Sequence, residues 1–150
     1  MIDALKSLFR PQATARAEVP QDVAVAALLI EAARSDGVYD AAEKQAVKRL
    51  LRDMFDLGDA QVDALHDQAA EAQQGAADMV RFTRVVKMAL EEHERIAIIE
   101  ALWQVVLVDH IRDPHENALM RHLAPLIAVS DYDSAAARRR VLAESSESDS

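Results

Sequence analysis

Cysteine is absent from the 150 residues. That absence excludes a disulfide framework, a zinc–thiolate centre and a cysteine nucleophile, and it is compatible with a reducing compartment. Glycine and proline are scarce, at three and four residues. In a chain rich in Ala, Leu, Val, Glu and Arg, with no run of strand-like period-2 alternation, this scarcity points to helices with short connections. A membrane-spanning run is missing too. The longest apolar stretch, IAIIEALWQVVLV from Ile96 to Val108, is broken by Glu100 and Gln104 and is shorter than the ~20 residues a span needs. There is no Gly-rich phosphate loop, nucleophile elbow or HExxH motif, which removes the commonest signatures of an enzyme. Positive charge is in deficit: the formal charge is -9 and the pI about 4.9. Nucleic acid and anionic lipid are therefore poor partners, and cations or basic surfaces better ones.

A chain of this length fits one domain and buries roughly 68–70% of its unfolded surface, so it needs no metal in order to fold. The start, MIDALKSLFR, has Ile2, Leu5, Leu8 and Phe9 on one helical stripe, but only two basic residues and no cleavage site. It does not read as a secretory signal, and the default location is cytoplasmic. A weak peripheral membrane contact through residues 2–9 is the secondary expectation. Residues 1–20 form this amphipathic segment and a Pro-bracketed linker, 21–143 the domain, and 144–150 an acidic, Ser-rich tail expected to be disordered.

Apolar spacing predicts seven helices in the domain: about 22–35, 40–55, 59–73, 78–90, 91–108, 113–128 and 133–143. In the second, Val47, Leu50, Leu51 and Met54 make an i, i+3, i+4, i+7 stripe. Gly58 suits the position just after that helix and Asp59 the N-cap of the next; Asp78 suits the N-cap of the fourth. The class is all-α, a helical bundle.

Two corners share one acidic pattern. SDGVYDAAEKQ (Ser35–Gln45) and VDHIRDPHENA (Val108–Ala118) both carry Asp-x3-Asp-x2-Glu. Asp36 and Asp109, Asp40 and Asp113, and Glu43 and Glu116 are each 73 residues apart. The register extends into the flanking apolar stripes, so helix-corner-helix is read as a pseudo-symmetric repeat with two further helices between the copies.

Helix grammar explains four of the six carboxylates. Asp40 with Glu43, and Asp113 with Glu116, are capping boxes, in which the N-cap carboxylate bonds the N3 amide and the Glu reaches back; Pro114 fits the first helical position of the second. Asp36 and Asp109 fall at the end of the preceding helix, where the macrodipole disfavours a carboxylate. Hard divalent cations of the Ca²⁺ or Mg²⁺ class want several oxygen ligands, and all six residues are candidates for them. The spacing matches the later half of an EF-hand loop. Its earlier half is missing, because Ala32 and Arg34, or Val105 and Leu107, stand where the first ligands belong.

The pattern LLIEAARSDGVYDAAEKQAVKRLL, followed by ALWQVVLVDHIRDPHENALMRHLAPLI, resembles the TerB-like family of tellurite-resistance proteins, which includes a similar N-terminal domain of a DnaJ-type co-chaperone. The resemblance covers roughly residues 24–130. It implies a helical bundle with internal two-fold pseudo-symmetry, serving as a metal- or partner-binding module in stress-response and membrane-associated systems, with no catalytic activity. The family's acidic positions fall on Asp36, Asp40, Glu43, Asp109, Asp113 and Glu116. One departure stands out: the family pattern has Asp-Gly at both corners, and here the second is Asp109-His110.

Other features read more simply. His110, His115 and His122 match no zinc spacing, EEHER (Glu91–Arg95) places acids where a helix start wants them, and Arg81, Arg84 and Lys87, with Arg138 to Arg140, read as solvated faces. Trp103 lies mid-stripe and is expected in the core. The expectation is a non-enzymatic module that binds divalent cations weakly, docks a protein partner, or both. The alternatives are a plain interaction domain whose corners are only caps, and a metal-dependent hydrolase.

Overall fold

The computed structural model describes residues 19–34, 39–72, 76–107 and 114–148. Among the described residues there are seven helices and no strand: α1 (Gln21–Ala33), α2 (Ala41–Phe55), α3 (Asp59–Ala72), α4 (Ala76–Ala89), α5 (Glu92–Val106), α6 (Pro114–Leu126) and α7 (Asp131–Ser148). The all-α expectation holds. The amphipathic segment 2–9, with its expected membrane contact, lies outside the described residues. No helix among the described residues is long and apolar enough to cross a membrane.

The sequence of α1, QDVAVAALLIEAA, is apolar on every side, and such a helix has to be enclosed. Every residue from Val23 to Ile30 is buried. The alanines at 24, 26, 27, 32 and 33 keep its cylinder narrow, and α2, α3, α4 and α5 all pack against it. The second internal helix is α5, whose Ile98, Ile99, Leu102 and Val106 are buried; it packs on α1, α2, α6 and α7. Around these two, the amphipathic helices turn in their expected stripes: Val47 and Leu51 from α2, Val62, Leu65 and Ala69 from α3, Phe82 and Val86 from α4, and Met120, Leu123 and Ala124 from α6. Burying a side chain of the Leu, Ile, Phe or Met kind contributes ~1.5–3 kcal/mol. One core therefore runs through the described helices and accounts for the cohesion of the bundle.

Trp103 is buried as expected, and its indole N–H donates to Ser134 Oγ at 3.1 Å, joining α5 to α7. The Arg138 guanidinium lies 5.6 Å from the Trp103 ring centroid, and Arg140 Nε donates to Glu100 Oε2 at 3.1 Å across the same pair of helices.

Several helix ends differ from expectation, each for a local reason. The residue that ends α2 is Asp56, in the left-handed conformation at φ 52°, with Leu57 N–H bonding back to Arg52 C=O at 3.1 Å. Aspartate is among the few non-glycine residues that enter that region readily, so Gly58 is not needed there. Gly58 is instead the residue before α3, and its N–H is held by Gln61 Oε1 at 2.9 Å; Asp59 is the first helical residue rather than the N-cap. Similarly, α4 begins at Ala76, ahead of Asp78. The end of α6 is a Schellman turn built on Ala128 at φ 59°, with Val129 N–H to Ala124 C=O at 2.8 Å and Ala128 N–H to Pro125 C=O at 3.0 Å. Finally, α7 runs to Ser148, past Ala143 and into the acidic end expected to be disordered. With Val141 buried, its later turns extend an established helix, which is easier than nucleating one.

Candidate functional site

Each acidic corner is framed by two helices. Ala33 and Val106, the last residues of α1 and α5, are 73 positions apart, as are Ala41 and Pro114, the first residues of α2 and α6. That spacing equals the offset of the carboxylates, so both corners meet their helices in the same register. α1 and α5, which lead into the corners, pack on one another.

At the first corner α1 stops at Ala33, with Arg34 N–H bonded to Ile30 C=O at 2.9 Å. The helix ends two residues short of the expected Ser35, and Asp36 lies outside the described residues. The chain then enters α2 through Asp40. Its Oδ1 accepts Glu43 N–H at 2.8 Å, and Glu43 Oε1 accepts Asp40 N–H at 3.3 Å. These reciprocal bonds are the expected capping box, of the kind worth ~0.5–2 kcal/mol. Ala32, where an EF-hand would place a ligand, is buried in α1. The missing half of that loop is helix.

The second corner is described only from Pro114 onward. Pro114 opens α6, as its missing N–H and fixed φ favour. Asp36, Asp109, Asp113 and His110 lie outside the described residues, as do the side chains of Glu116 and His115. Of the six candidate ligands, Asp40 and Glu43 are thus the two whose geometry is visible, and both act as caps. His122 is exposed on α6.

The sequence reading missed a contact beside the first corner. Tyr39, half-buried just before the N-cap, places its hydroxyl 2.7 Å from Nε2 of His66, which is buried on the inner face of α3. The rings are nearly parallel, with centroids 5.8 Å apart. Lys44 Nζ lies 5.6 Å from the Tyr39 ring centroid. Burial, reinforced by the Glu43 carboxylate and opposed by Arg34, pushes the Tyr39 phenol well above the ordinary tyrosine range. The phenol therefore stays protonated, and on the other side of the imidazole Nδ1 lies 3.4 Å from Asp67 Oδ1. The signal was present in the chain: His66 lies between Leu65 and Ala69, on the stripe that α3 buries.

Lower on the same two helices, Lys48 pairs with Asp63 and Arg52 with Asp59, each at 3.0 Å, across an open, polar cleft. Surface pairs of this kind contribute ~0–1 kcal/mol each.

Among the described residues one group of side chains converges closely enough to hold an ion. Ligand atoms of Glu91, His93 and Glu94 lie within 4.8 Å of one another. Glu94 Oε1 accepts Glu91 N–H at 3.0 Å, and His93 Nδ1 is 3.5 Å from Glu91 Oε2. The cluster sits at the N-terminal end of α5, where the helix dipole already favours anions and competes with a cation. It reads first as a cap.

Comparison with known proteins adds the family. No curated protein and no solved structure matches the chain. The family model described as "Tellurite resistance protein TerB" matches residues 22–139, a span reaching from the first turn of α1 into α7 and taking in both acidic corners. The chain belongs to the TerB family.

Proposed function

We propose that this chain is a non-enzymatic TerB module, acting in the cytoplasm, whose two acidic corners bind a divalent cation weakly and thereby tune the docking of a protein partner in a stress-response or membrane-associated system. The observation that carries this reading is the shared register. Asp36, Asp40 and Glu43 recur as Asp109, Asp113 and Glu116 at the same offset as the helix ends that frame them. Capping accounts for Asp40 with Glu43 and Asp113 with Glu116; it leaves Asp36 and Asp109, which recur in the same frame, for something common to both corners. Capping and ligation are compatible at Asp40, since a carboxylate has two oxygens and the capping bond uses Asp40 Oδ1. Hard cations of the Ca²⁺ or Mg²⁺ class suit an all-oxygen set of this kind. With the EF-hand's earlier ligands replaced by helix, affinity is weak, and an ion bound to the folded state alone raises its stability in proportion to occupancy.

The test is calorimetric titration and thermal melting with Ca²⁺, Mg²⁺, Mn²⁺ and Zn²⁺. A joint site between the corners gives one ion per chain and separate sites give two. Asp36→Asn with Asp109→Asn abolishes the signal, while Glu91→Gln with Glu94→Gln leaves it. No heat and no melting shift at millimolar metal sinks the cation reading.

The capping box at Asp40 and Glu43 favours a second reading, a plain interaction domain whose corners only turn the chain. On that reading the Asp36→Asn, Asp109→Asn variant captures its partner as well as the parent does, with or without metal.

A further inference from the structure

The outward face of α4 has a composition that solvation alone does not explain. Val80 is 60% exposed and Met88 75%, two of the four exposed large hydrophobic residues among those described. Arg81, Arg84 and Lys87 are exposed beside them. At about 100° per residue these five side chains fall within an arc of about 120°, and Val80, Arg84 and Met88 form one i, i+4, i+8 row about 12 Å long. The buried Phe82, Val86 and Leu90 take the opposite side. Between Met79 and Leu90 there is no acidic residue, and Arg84 and Lys87 make no ion pair among the described residues. In a chain of net charge -9, this is a cationic stripe with an apolar residue toward each end.

We propose that this stripe is a docking surface for an acidic amphipathic helix of a protein partner. Apolar side chains of that helix would seat on Val80 and Met88, with carboxylates against Arg84 and Lys87. Charge complementarity selects this occupant. A second copy docked face to face through α4 would set cations against cations, so an isologous dimer is disfavoured. Anionic membranes and nucleic acid also carry negative charge, but both repel the remainder of a chain of this net charge, and nucleic-acid phosphates give Val80 and Met88 nothing apolar to contact. An amphipathic acidic helix satisfies both halves of the stripe at helical spacing. The surface is remote in sequence from both acidic corners and needs no cation.

The experiment follows amide shifts of the ¹⁵N-labelled full chain in EDTA, so that its outcome is separate from that of the cation reading. The probe is a synthetic helical peptide with leucines along one stripe flanked by glutamates. Controls carry lysine for glutamate or serine for leucine, and vesicles containing phosphatidylserine form a further arm. The leucine–glutamate peptide is expected to shift amides of α4. Its affinity is expected to fall at least about tenfold in the Arg84→Glu, Lys87→Glu variant, and several-fold in Met88→Gln, where charge is unchanged. Both variants alter exposed positions, and matching melting curves establish that they fold. Shifts that map to another surface, equal binding of the lysine or serine peptides, vesicles engaging α4 in place of the peptide, or self-association through α4 would each overturn the proposal.

Discussion

The Tyr39 hydroxyl lies 2.7 Å from His66 Nε2, tying the residue before the α2 N-cap to the buried face of α3. The bond crosses 27 residues of chain and braces the first acidic corner from inside. Removing the hydroxyl as Tyr39→Phe leaves a buried ring nitrogen without its hydrogen-bond partner, at a cost of ~1–3 kcal/mol. Urea denaturation measures it directly, and a change of only a few tenths of a kcal/mol would show that the bond is dispensable.

The same phenol makes stability depend on alkaline pH. An unfolded tyrosine ionises near pH 10, whereas in the fold burial and Glu43 hold Tyr39 protonated to higher pH. The folded state therefore keeps a proton that the unfolded state loses. The contribution is complete below about pH 10 and is lost as pH rises beyond it. Melting temperatures of the parent and Tyr39→Phe, compared from pH 8 to 11, should converge at the alkaline end. Parallel curves throughout would refute the linkage.

Capping at the first corner has its own signature. Asp40→Ala removes the 2.8 Å bond to Glu43 N–H and should cost about 1 kcal/mol, while Asp40→Asn retains an oxygen in place and should cost less. The ordering matters more than the size. An Asn variant as damaged as the Ala variant would mean that the charge, and not the hydrogen bond, is what the position supplies.

Ser134→Ala should destabilise by ~1–3 kcal/mol, because the buried Trp103 N–H loses its acceptor. Trp103 is the chain's only tryptophan, so its emission reports on this site alone. Cation and peptide binding should be unaffected. A large loss of either would place α7 in the functional surface.

Ala128→Gly is expected to stabilise, against the usual direction of glycine substitutions. Ala128 holds φ at 59°, a conformation that costs an L-residue about 1–2 kcal/mol, partly offset by the ~0.4–1 kcal/mol of extra unfolded-state entropy that glycine brings. A net gain of up to about 1.5 kcal/mol follows. A loss would indicate that the Ala128 side chain makes a contact worth more than the strain.

Helix positions were readable wherever burial repeats with helical period. The all-round apolarity of α1 announces an enclosed helix, and Val47 with Leu51, or Met120 with Leu123 and Ala124, announce one-sided ones. Chain ends of helices were less readable, since either Gly58 or Asp56 satisfies the local rules and only packing of Leu57 against the core chooses between them. At the candidate site the capping box was legible because it is local in sequence. The Tyr39–His66 bond was not, because a pairing across α2 depends on how α1 seats both neighbours. Arg81, Arg84 and Lys87 were visible as a basic stretch; that Val80 and Met88 share its exposed arc emerges only once Phe82 and Val86 have claimed the inner side.

The enclosure of α1 also bears on how a ribosome makes this domain. The first helix of the bundle to emerge is its most apolar and can be covered fully only when α5 arrives, nearly sixty residues later. Until then Val23 to Ile30 is covered only in part, by α2, α3 and α4 as each emerges. Productive folding is thus held back until most of the domain has been translated, and the interval is a window in which a chaperone has something to grip.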